Sequence, residues 1–129
     1  MGAWGHNTIE NDDALDWLGE LTDLRQITAA FAQIVDNVDG YIDLTDASAA
    51  LAAAEVVAAL NGRPSRSLPD EARSWIHGKT KPDTGLLQQA RTAVEQVLAG
   101  SELEELWDED GTNQSEWHAV VNDLKERLA

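Results

Sequence analysis

Three groups of residues in this chain have the types and spacing to do chemistry. Asp12, Asp13 and Asp16 lie close to His6, and on a helix Asp12 and Asp16 fall one turn apart. That is an oxygen-rich setting of the kind a hard cation takes. Asn11 just before them is a favoured N-cap, however, and first-turn acids answer the positive end of a helix dipole. The helix-start reading is preferred, and the metal question stays open. The second group is the run 35–46. Laid on a calcium-binding loop, Asn37, Asp39, Gly40, Asp43 and Asp46 take ligand or turn positions, with Ile42 at the apolar eighth. Val35 stands where the first carboxylate belongs, and Asp46 replaces the bidentate Glu. Losing two strong ligands leaves little affinity, and a helix–turn–helix connector accounts for the same residues. The third group is Glu102, Glu104, Glu105, Asp108, Glu109 and Asp110 around Trp107. Acids around an aromatic anchor suit a surface that captures a basic protein, with charge setting the on-rate and the ring supplying burial. A solvated helix face explains the group equally well.

Other chemistries find no support. With no cysteine there is no thiolate nucleophile, disulfide or Cys-ligated zinc. The three histidines, His6, His77 and His118, are too scattered for a triad or a zinc site, and neither a Gly-x-Ser-x-Gly elbow nor a glycine-rich phosphate loop occurs. Enzyme is the less favoured class, and no cofactor is expected. The alternatives are a metal-dependent enzyme using His6 with Asp12, Asp13 and Asp16, and a structural domain with no ligand.

Charge narrows the partners. Lys plus Arg number 9 against 24 Asp plus Glu, a net −15. Such a surface repels nucleic-acid backbones and anionic lipid and attracts basic proteins. The distribution is uneven: residues 1–62 hold eleven acids and one base, residues 63–81 carry a net +3, and residues 82–129 hold eleven acids and three bases. The basic connector is expected to be tethered to acidic faces of the same protein. No basic segment leads into an apolar run and no apolar stretch approaches ~18 residues, so the expected location is the cytoplasm.

The elements that must position these groups are helices. Ala14, Trp17, Leu18 and Leu21 share a face at 3.6 periodicity, as do Ile27, Phe31, Ile34, Val35 and Val38 over about 24–37. A third helix is expected over about 46–61, with Thr45 as N-cap, Gly62 as stop and an inward face of Ala47, Ala50, Leu51, Ala54 and Ala58. A short helix follows Pro69, carrying Ala72, Trp75 and Ile76, and residues 78–85 make a flexible loop. Residues 86–99 follow as a helix with Leu87, Ala90, Val94 and Val97 inward. Ser101 and Glu104 open a capping-box helix, and a last helix over about 115–128 buries Trp117, Val120, Val121, Leu124 and Leu128. Hairpin signals are missing. The fold expected is all-α, an irregular bundle of six to seven helices in one domain spanning 1–129. Of the five tryptophans, Trp17, Trp75 and Trp117 read as core.

Gly2, Trp4 and Gly5, followed by Asn11, Asp12, Ala14, Asp16 and Trp17, resemble the opening of the bacterial family called domain of unknown function 4259. The alanine-rich helix 50–59 before Asn61-Gly62, and Ser101 to Trp107 ahead of Trp117, are similar to it too. In the gap where the family has Gly-x-Phe, this chain has Asn7-Thr8-Ile9. Asn is the best non-glycine substitute at positive φ and Ile fills an apolar slot, which suits a structural gap. The resemblance implies a helical bacterial protein and transfers no catalytic residue; it makes the motif residues structural.

An indole flanked by glycines has no local reason to be ordered, so residues 1–10 are expected to fold back onto the first helix as a packed segment. Trp4→Ala should then cost about 3–5 kcal/mol, measured by urea unfolding. An unchanged melting temperature and fluorescence would make the segment a tail or a docking site.

Overall fold

A computed structural model describes residues 12–36, 42–65, 68–101 and 114–128. They form six helices and, among the described residues, no strand: α1 Asp12–Gly19, α2 Leu24–Val35, α3 Leu44–Leu60, α4 Asp70–Ile76, α5 Thr84–Ala99 and α6 Gln114–Arg127. The all-α expectation holds. The packed segment 1–10 and the short helix expected after Ser101 lie outside the described residues.

Helix α3 organises the bundle. Sequence periodicity gave it one inward stripe, yet every residue from Ala50 to Leu60 is buried, as are Ala47 and Ser48. The reason is composition. Alanine and valine occur all round the helix, and a helix apolar on every side belongs inside. Accordingly α3 packs against each of the other five helices, and its small side chains let their axes come close. Into its surface pack Ile27, Phe31 and Ile34 of α2, Ala90, Ala93, Val94 and Val97 of α5, and Trp117, Val121 and Leu124 of α6.

Local signals set the ends. Helix α3 starts two residues before the expected Asp46, because Asp43 and not Thr45 caps it, its carboxylate accepting from Asp46 N at 2.8 Å. The far end is a complete left-handed stop. Gly62 sits at φ 87°, Arg63 N donates to Ala58 O (2.9 Å) and Gly62 N to Ala59 O (3.0 Å). A side chain at Gly62 would be strained. Helix α5 likewise begins early, at Thr84, since Asp83 accepts from Leu86 N at 2.8 Å. Gly85 of the expected loop is therefore helical, and the connector closes at Asp83. Three side chains expected inside are less buried: Val35 is exposed, and Leu87 and Val120 are half-buried. Trp117 is fully enclosed, whereas Trp17 and Trp75 only lean against the core.

One polar interaction runs through this apolar interior. Glu55, fully buried on α3, receives both guanidinium arms of Arg127, Nη1 to Oε1 at 2.8 Å and Nη2 to Oε2 at 3.1 Å. Arg127 Nε also donates to Asp123 at 2.9 Å. Burial alone would lower the Arg127 pKa; hydrogen bonds and charge from Glu55 and Asp123 reverse that and raise it. Around this fork, the carbonyls at the end of α6 are closed by side chains from the α3 exit and from α5: Asn61 to Arg127 O (3.2 Å), Arg63 to Glu126 O (3.1 Å) and Arg91 to Leu128 O (2.9 Å). Helix C-termini leave such acceptors open and favour cations.

Breaking the fork takes two charge-assisted hydrogen bonds from a buried carboxylate. Arg127→Met should cost about 3–5 kcal/mol, and adding Glu55→Met should restore most of it. Urea unfolding of the single and double variants measures both, and a double variant no better than the single would mean the charges are not coupled.

Candidate functional site

Seven of the described acids lie within residues 13–46. Asp13, Asp16 and Glu20 lie on or just after α1, Asp23 caps α2, Asp36 follows it, and Asp43 and Asp46 open α3. Arg25 answers one of them. Its guanidinium meets Asp23 at 3.0 Å, and that hydrogen bond holds the Asp23 carboxyl below its usual range. Among the described residues Asp13, Asp16, Glu20, Asp36, Asp43 and Asp46 make no ion pair within 4 Å.

Between α1, α2 and the start of α3 lies a groove of ≈ 380 Å³. Trp17, Ala29, Ala30 and Ala49 supply its apolar lining, Glu20 and Asp46 its charge, and Gln26, Gln33 and Thr45 its neutral polar groups. One wall is fixed by Gln26. Its Oε1 accepts from Thr22 N (2.6 Å) and Asp23 N (2.8 Å), while its Nε2 donates to Glu20 O (2.9 Å). This capping box therefore ties the exit of α1 to the entry of α2. Partial burial, and then the neighbouring Asp43 charge, raise the Asp46 pKa.

The sequence-derived candidates are distributed differently. Of the family-motif residues, Gly2, Trp4, Gly5 and Asn11 lie outside the described residues, and Asp12 opens α1. Ala14 is in the core, Asp16 is exposed, and Trp17 reaches the groove. Glu102, Glu104, Glu105, Trp107, Asp108, Glu109 and Asp110 are outside the described residues, as is His6. No group of three or more potential ligands suited to a metal occurs among the described residues. In the run resembling a calcium loop, Asp43 is engaged as the α3 cap and Val35 ends α2. His77 is exposed, and His118 meets the Trp117 ring edge-on with centroids 5.2 Å apart.

Three of the five bases of the basic connector are placed otherwise than on acidic faces. Arg73 donates to Leu68 O (3.0 Å) and Ser65 O (2.7 Å), Arg63 reaches the end of α6, and Lys79 lies 4.5 Å from the Trp75 ring centroid. These cations are spent on carbonyls and an indole. The groove and the Glu55–Arg127 fork were not foreseen. The lone Glu in an Ala/Val run calls for some partner without naming it, and the groove is assembled from three helices and has no local signature.

Asp46 yields a pH test. A folded-state pKa above the unfolded value stabilises below the unfolded pKa, and that contribution is lost as pH rises through the folded pKa. Asp46→Asn should therefore gain on the parent in unfolding free energy as pH rises from about 3 to about 7. A variant that loses ground over that range would mean the α3 dipole outweighs burial and Asp43.

No helix among the described residues is long and apolar enough to cross a membrane. Neither a curated protein nor a solved structure matches the chain. The family model described as Domain of unknown function (DUF4259) matches residues 2–120. With that match covering nearly all of its helices, the chain belongs to the DUF4259 family.

Proposed function

We propose that this domain is a non-enzymatic protein-binding module of the immunity or inhibitor type, acting in the cytoplasm on a basic protein. The observation behind this reading is the uncompensated acidity of the α1–α3 end. Six carboxylates there have no ion-pair partner among the described residues, in a chain of net −15. Like charges crowded together repel, a cost that a cationic partner relieves. The segment 102–110 with Trp107 adds a second acidic contact on its sequence alone. A basic nuclease-like toxin is the partner class that an immunity protein of this charge would neutralise.

Immobilised on a column and offered lysate of its own organism, the domain should retain a basic protein at low salt and release it by about 0.5 M, where the Debye length is only a few ångströms. Glu104→Gln, Glu105→Gln and Asp108→Asn together should slow association with that protein and flatten its salt dependence. Trp107→Ala should mainly speed dissociation. Retention that ignores salt, or that selects acidic proteins, would refute the reading.

A further inference from the structure

We propose that the groove between α1, α2 and α3 receives an arginine side chain from a basic protein, its stem against Trp17 and the alanines and its guanidinium between Glu20 and Asp46. The inference rests on the protein-binding reading and assigns that contact to a particular place.

Charge complementarity selects the occupant. Among the described residues two carboxylates line the groove and no Lys or Arg does, and Arg25, the one base in residues 1–62, is engaged by Asp23. Of the neutral polar lining, Gln26 already uses its oxygen and nitrogen on the α1–α2 turn. The remaining lining is an indole and three alanines, which suits an aliphatic stem with a charged head. Arginine fits better than lysine because its guanidinium is planar and weakly hydrated, stacks on indole, and can fork to carboxylates. A cation there would also offset the burial and Asp43 repulsion that raise the Asp46 pKa.

The test uses the full chain and a defined probe, N-acetyl-arginine-N-methylamide, against its neutral isostere with citrulline. Arginine should shift the Trp17 indole N–H resonance saturably, and citrulline should bind at least about tenfold more weakly, as loss of charge pairing at a partly desolvated site predicts. Glu20→Gln with Asp46→Asn should weaken the arginine probe by about tenfold, whereas Asp70→Asn with Glu71→Gln, an equal charge change on α4, should alter it by less than about twofold. Equal binding of citrulline, equal weakening by the α4 variant, or shifts that spread over the acids without saturating at Trp17 would overturn the assignment. If Glu20→Gln/Asp46→Asn still captures the basic protein like the parent, the groove assignment falls and the protein-binding reading stands. If the probe saturates the groove while no basic protein is ever retained, the groove stands and that reading falls.

Discussion

Burying a helix on every side while leaving a carboxylate in it is the constraint around which this fold is arranged. Helix α3 has no wet face along Ala50–Leu60, and Glu55 sits in the middle of that stretch. An ionised side chain there is tolerable only with an opposite charge and good hydrogen bonds. Arg127 supplies both, and to do so α6 must lie with its last turn beside the middle of α3. The placement of α6 thus follows from electrostatics as well as from Trp117, Val121 and Leu124. Closure of the α6 carbonyls by Asn61, Arg63 and Arg91 draws on α3, its exit and α5. A bidentate fork contributes direction, which an alanine-lined contact lacks.

The two ends of the charge spectrum are treated differently. Arginines 63, 73, 91 and 127 all brace other segments of the fold, chiefly through backbone carbonyls. Few cations then remain to neutralise the surface, and of Asp13, Asp16, Glu20, Asp23, Asp36, Asp43 and Asp46 only Asp23 has an ion-pair partner among the described residues. Acidity at that end is therefore a consequence of where the arginines are needed as well as of how few there are. The groove inherits its sign from this division, and its shape from the Gln26 staple between α1 and α2.

Much of the fold was legible because helix signals are local. Ile27, Phe31 and Ile34 repeat at helical spacing, and the Asn61-Gly62 stop appears where a left-handed residue is required. Starts were less legible. Thr45 and Asp43 are both good caps two residues apart, and sequence alone does not rank them; at α5 the glycine at 85 reads as loop, while the Asp83 cap starts the helix at Thr84. Periodicity failed at α3 because a helix of alanines has no preferred side, so one stripe was assigned where all sides are buried. The Glu55–Arg127 contact was illegible for a different reason: its partners are 72 residues apart, and pairing over that span is a property of the fold. The groove shares that character, since Trp17, Gln33 and Asp46 come together only when three helices do.

That 72-residue separation also bears on the order of assembly during synthesis. Chains emerge from the N-terminus, and early helices pack as they appear. When α1 to α5 have been made, four neighbours are available to cover α3, but the guanidinium fork that meets Glu55 is still missing. Two hydrogen bonds to that carboxylate wait for residue 127, so the centre of the bundle reaches its final packing late. The last of the described helices is in this sense a seal, fitted only after the helices it closes have been translated.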